Sequence, residues 1–197
     1  MEIILATHNS DKCKELQEIF INTGVKIYTL QDFPEIKEII EDGNTLEENA
    51  FIKSRTVYNL TKIPTISDDT GLEVDALNGA PGVYSARYAG EECSYSDNVN
   101  KLLLDMQNVN QKCRTATFKT VVTYVSQDLE LVAEGSVKGI ITRKPYGKKG
   151  FGYDPIFYVL SENKTFAEMN LNEKQQCSHR GNAIANLKRL FKEHNLL

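Results

Sequence analysis

Short apolar runs alternate along this chain with stretches of amphipathic spacing, and the two periods predict strands and helices in turn. Residues 2–6, Glu-Ile-Ile-Leu-Ala, are too short an apolar run for a helix and suit a buried strand. Residues 7–12 follow, rich in capping types, and then Cys13, Leu16, Ile19 and Phe20 share one helical face that ends near Gly24. Residues 25–30 alternate as a second strand. Thr45-Leu46-Glu47-Glu48 spells a capping box, and Leu46, Ala50, Val57 and Leu60 predict the apolar face of the helix it opens. Residues 64–67 predict a short strand running into Asp68-Asp69-Thr70-Gly71. Residues 96–106 predict a helix through Val99, Leu102, Leu103 and Met106. Residues 116–125 and 129–141 have strand composition, and the Gln127-Asp128 connector predicts a hairpin. A strand at 156–160 and a helix at 180–194 close the chain. Helix–strand alternation with an antiparallel component predicts an α/β fold on a mixed sheet.

A length of 197 residues predicts one domain over 1–197. Hydrophobic residues at 41% and charged residues at 25% exclude disorder and coiled coil. The balance of 23 Lys+Arg against 27 Asp+Glu, a net −4, argues against a nucleic-acid partner recruited by net basicity. No run approaches the ~18 apolar residues of a membrane span, so no membrane partner is expected. The four cysteines are scattered without a CxxC, which argues against a zinc site and for a reducing cytoplasm.

Five segments carry candidate chemistry. Thr7, Asn9, Ser10 and Lys12 lie at a helix start, where unpaired N–H groups make phosphate binding physically cheap; the bland reading is an N-cap and a solvated lysine. Asp68 and Asp69 repel unless a cation relieves them, and in a strand they point to opposite faces, so one at most is the direct catalytic group. The bland reading is a turn with capping aspartates. Glu41 and Asp42 form a second acidic turn. Gly150-Phe151-Gly152-Tyr153-Asp154 leaves an aromatic ring uncovered for stacking, or equally supplies a core aromatic. Ser178 reads as an N-cap, which puts His179 and Arg180 in a helix first turn, where cations oppose the helix dipole. Lys174 precedes them, and Lys53 lies within the capping-box helix.

These pieces occur in one order over essentially the whole chain: LATHNSDK, EDGNTLEENA, SDDTGLEVDALNGAPGVYSARYAG, GFGYDPIFYV and EKQQCSHRGNA. That order resembles the inosine triphosphate pyrophosphatase family. The resemblance implies a long mixed central sheet with flanking helices, two lobes around a cleft and a homodimer. It implies that Thr7, His8, Asn9, Ser10, Asp11 and Lys12, with Lys53, hold a triphosphate. Asp69 would be the proton acceptor and, with Glu41, the ligand of Mg²⁺. Thr70 would touch substrate, while Phe151, Gly152, Tyr153, Asp154, Lys174, His179 and Arg180 would form the nucleoside pocket. The implied reaction is water attack on the α-phosphorus of ITP, dITP or XTP, releasing the monophosphate and pyrophosphate. His8, Thr70 and Lys149 depart from the family's usual Gly, Ser and Gly. Two other readings stand beside it: a septum-formation-inhibitor-type pyrophosphatase acting on other nucleotides, and a non-catalytic nucleotide-binding module.

Overall fold

The computed structural model describes residues 1–17, 20–21 and 23–196. The expected placement of Ile19 lies outside them. Among the described residues eight strands form one sheet in the order β2-β1-β3-β5-β6-β7-β8, with β4 paired to β3. The strands are β1 (Glu2–Leu5), β2 (Lys26–Thr29), β3 (Thr65–Val74), β4 (Pro81–Gly82), β5 (Thr115–Val125), β6 (Glu130–Ile141), β7 (Phe157–Val159) and β8 (Lys164–Thr165). Among the described residues five α-helices accompany them: α1 (Ser10–Gln17), α2 (Leu46–Thr61), α3 (Tyr95–Asp105), α4 (Leu171–Cys177) and α5 (His179–Glu193). β1 runs parallel to β2 and β3, whereas β3–β4, β6–β7 and β7–β8 are antiparallel, so the sheet is mixed as expected.

The chain divides into two compact units. Unit 1 comprises Met1–Asp69, Thr120–Gly135 and Arg180–Leu197. Its strand β1 is buried on both faces, which is why it reads as a continuous apolar run. Ile3 and Leu5 pack with Leu16, Val122, Leu187 and Phe191, while Ile4 and Ala6 pack with Leu30, Ile36 and Val57. Unit 2 comprises Thr70–Lys119 and Ser136–His179. Its core gathers Leu72, Val99, Leu102, Met106, Phe118, Ile156, Phe157 and Phe166.

Three elements differ from the sequence expectation. The Asp68-Asp69 pair sits within β3, because Thr65–Val74 continues as a single ten-residue strand. On α2, Leu60 is exposed and the inward face is polar instead, with Asn49, Lys53 and Ser54 buried beside Ala50 and Val57. Its cap is half of the expected box: Thr45 Oγ1 accepts the Glu48 N–H, but the Glu48 carboxylate accepts from Asn44 rather than from Thr45. A further helix, α4, is opened by Asn170 and Glu173 in a reciprocal box and ends at Ser178; α5 starts at the next residue, so His179 and Arg180 lie in its first turn as expected.

Within unit 2, Arg114 is almost wholly buried, and its guanidinium donates to the carbonyls of Met106, Ile141 and Thr142 at 2.7–2.9 Å. It ties the end of α3 to the end of β6. Arg114→Met would leave those buried acceptors without their donor. The expected loss is about 2–4 kcal/mol of unfolding free energy, read from urea denaturation.

Candidate active site

In unit 1 the site is built by alternation along β3. Asp68 and Asp69 point to opposite faces, and each face supplies its own cations. On one face Asp68 is fully buried; its Oδ2 accepts from Arg180 Nε at 3.1 Å and Nη2 at 3.0 Å, with Lys12 Nζ at 3.4 Å. Arg180 also donates Nη1 to the buried Glu15. Burial alone would raise the Asp68 carboxyl, but Lys12, Arg180 and Lys53 outweigh it and hold it well below the ordinary range. The same carboxylates raise Arg180 against its own burial.

On the other face Asp69 meets α2. Asn49 Nδ2 donates to Asp69 Oδ2 at 3.3 Å, and Lys53 Nζ lies 3.6 Å from Asp69 Oδ1 and 2.6 Å from Glu41 Oε2. Burial acts to lower Lys53, yet Asp69, Glu41 and Asp68 prevail and leave it raised. Three cations, Lys12, Lys53 and Arg180, thus face four carboxylates, Glu15, Glu41, Asp68 and Asp69. Glu15 lies outside the quoted motifs, whereas Asn49 lies within EDGNTLEENA; a polar residue at an inward helix position was the available hint for each.

The loop after β1 is fixed by its own side chains. Asn9 Oδ1 accepts the N–H groups of Asp11 and Lys12, capping α1, and Thr7 Oγ1 accepts the Asn9 N–H. Thr7 is buried; His8 and Ser10 are exposed; Asp11 and Lys12 are half-buried. A shallow pocket of about 240 Å³ opens here, lined by Thr7, His8, Ser10, Cys13 and neighbours.

In unit 2, Asp154 organises the glycine-rich loop. Its Oδ2 accepts the Phe151 N–H at 2.9 Å and Lys174 Nζ at 2.7 Å. Gly150 has φ +71° and any Cβ there would lie 2.0 Å from that oxygen, so only glycine fits. Lys174 Nζ in turn sits 4.7 Å from the Phe151 ring centroid, and Tyr95 packs against the same ring at 5.8 Å. His179 stacks on Phe118 at 4.4 Å. Gly152 (φ +60°) and Thr70 are half-buried.

Two residues expected in the nucleoside pocket have partners within the protein. Tyr153 turns into the core and donates its hydroxyl to the Ser85 carbonyl, because its ring completes the apolar cluster of unit 2. The Arg180 guanidinium engages Asp68 and Glu15 in unit 1, because a fully buried carboxylate demands a cation.

Unit 1 interleaves cations and carboxylates about one strand, unit 2 holds an aromatic ring beside an oriented ammonium, and both belong to a mixed α/β fold. The chain belongs to the Ham1 family, whose profile matches residues 3–190. It is 47% identical over 188 residues to a dITP/XTP pyrophosphatase of Thermoanaerobacter pseudethanolicus, covering 95% of each chain. It is 44% identical over 195 residues to one of Vibrio cholerae, covering 98% of this chain and 97% of that one. Among solved structures, the Staphylococcus aureus Ham1 protein matches with a TM-score of 0.88 at 39% identity, over 98% of this chain and all of that one. A Coxiella burnetii HAM1 protein matches with a TM-score of 0.89 at 39% identity, over 98% of this chain and 99% of that one.

The electrostatics of Asp68 carry a pH signature. The unfolded carboxyl takes up its proton near its ordinary value of 3.8, while the folded one stays ionised to lower pH. The unfolded state then binds more protons, so the contribution of Asp68 is complete above that value and fades as pH falls below it. Asp68→Asn should cost about 3–5 kcal/mol at pH 7, the usual penalty for breaking a buried ion pair. The gap from the parent should narrow at pH 3, as read by urea denaturation at both pH values.

Proposed function

We propose that the 197 residues act as one nucleoside triphosphate pyrophosphatase domain, hydrolysing ITP, dITP and XTP to the monophosphate and pyrophosphate. The observation that carries the mechanism is the division of labour between adjacent aspartates. Asp68 is held through Oδ2 by Lys12 and Arg180 and kept ionised at low pH, which disqualifies it as a base. Asp69, on the other face, keeps contact with a neutral amide and one lysine, and is the proton acceptor for the attacking water.

Glu41 and Asp69 converge on one buried ammonium, so their oxygens are within reach of one cationic centre. Among the described residues no three His, Cys, Asp or Glu side chains form a metal cage of their own. Two carboxylates fit Mg²⁺, which takes one or two and completes its shell with water and phosphate oxygens. Held by Glu41 and Asp69, it would neutralise charge developing on the phosphate oxygens. Lys12, Lys53, Thr7 and the capped start of α1 bind the phosphates, with His8, Asn9, Ser10 and Asp11 shaping that loop.

The Phe151 ring stacks on the base, and Lys174, oriented by Asp154, supplies a donor at its edge. Hypoxanthine and xanthine present an acceptor oxygen at C6, whereas adenine presents a donor, which would leave donors facing donors. Four thiols outside any disulfide support a reducing, cytoplasmic setting. Among the described residues no helix is long and apolar enough to cross a membrane. The family resemblance supports a homodimer.

Incubation with ITP and Mg²⁺ should yield IMP and pyrophosphate in equal amounts. Inosine diphosphate with orthophosphate would place the attack elsewhere and overturn the reading, and no turnover of any triphosphate would favour a binding module. Asp69→Asn should lower kcat by about 10²–10⁴-fold while calorimetry still registers ITP binding.

A further inference from the structure

Lys53 occupies the point on which the Glu41 and Asp69 carboxylates converge. Its Nζ lies between Glu41 Oε2 and Asp69 Oδ1, on a side chain that is almost fully buried. Those two carboxylates are aimed at the same point by a second residue. Asn49, one helical turn earlier on α2, donates Nδ2 to Asp69 Oδ2 and accepts the Gly43 N–H at 2.8 Å, on the loop that carries Glu41. A Cβ at position 43 would lie 2.7 Å from Asn49 Oδ1, so a glycine there permits the close approach. Asn49 therefore keeps Glu41 and Asp69 converged whether or not Lys53 remains between them. Two converged carboxylates repel, and an ammonium between them removes that cost while no other cation is present. A lysine suits the task, being a compact charge on a flexible stem that can swing away.

We propose that Lys53 is a resident counter-cation of the Glu41–Asp69 pair, evicted by the divalent cation and drawn onto the phosphates of the nucleotide as the two bind. The identity of the two ligands rests on the pyrophosphatase reading; the competition between a side chain and the metal goes beyond it. A cation arriving alone must displace the ammonium and so binds weakly. A nucleotide that attracts Lys53 opens the carboxylates and strengthens cation binding, and by linkage the cation strengthens nucleotide binding equally.

The test uses Mn²⁺ alone, titrated into the full chain without nucleotide and followed by electron paramagnetic resonance of the unbound ion. Lys53→Met removes the competitor and retains both carboxylates, so Mn²⁺ affinity should rise at least roughly tenfold. Lys53→Arg keeps a cation in place and should bind as weakly as the parent. Arg55→Met removes one positive charge from the exposed side of the same helix, where it pairs with Glu130, and should stay within about twofold because solvent screens it. Adding Glu41→Gln to Lys53→Met should abolish the gain. Circular dichroism checks that each chain is folded, and Lys53→Gln replaces the Met variant if that one is not. Affinity in the folded Lys53 variant equal to or below the parent's would overturn the proposal, as would a gain that survives Glu41→Gln. No turnover enters these titrations, so absent pyrophosphate release would sink the functional reading without deciding this one.

Discussion

Asp68 is a carboxylate without solvent exposure in the middle of a sheet, and that single constraint organises unit 1. Desolvating such a group costs several kcal/mol unless cations meet it with good geometry. Lys12 from α1 and Arg180 from α5 meet it together, and Glu15 balances the second side of the guanidinium. Two helices distant in sequence, α1 and α5, are thereby pinned to one oxygen of β3. Arg180 at the start of α5 would otherwise oppose the helix dipole; the paired carboxylates turn a mildly unfavourable position into a fixed one.

Because side chains alternate along a strand, pinning Asp68 to one face turns Asp69 to the other. There α2 presents Asn49 and Lys53 instead of apolar residues. The helix is still anchored by Ala50 and Val57, by the Ser54 hydroxyl against the Thr123 hydroxyl at 2.9 Å, and by the Ser67 hydroxyl of β3, which donates to the Ala50 carbonyl. Packing and chemistry thus share one helix face. Polar residues there weaken the apolar signature of α2 in the sequence, and they are the residues that surround Asp69.

Unit 2 solves a different problem, presenting a flat ring without letting it collapse into the core. Asp154 does so by accepting from the Phe151 backbone and from Lys174 through one oxygen. The oxygen comes so close to Gly150 that no side chain is tolerated there. Tyr153, next in line, is packed in the core and supplies the apolar anchor from which the loop projects.

Much of this was legible in the sequence. Apolar runs, capping residues and the hairpin connector are local signals, set by backbone sterics and burial of nearby residues, and they placed β1, β5, β6, α3 and α5. The ordered motifs marked Asp69, Lys53, Phe151 and Lys174 as candidates, and strand alternation separated Asp68 from Asp69. Tertiary structure alone decided which aspartate is tied to two cations, because that depends on Lys12 and Arg180, which approach from the two ends of the chain. It alone sent Tyr153 into the core and Arg180 to Asp68, brought in Glu15 and Asn49, and made the inner face of α2 polar. Each of these is a matter of partner choice by buried groups. Burial makes an unpaired charge or donor costly, so the partner is found across the fold, at a distance that no local pattern records.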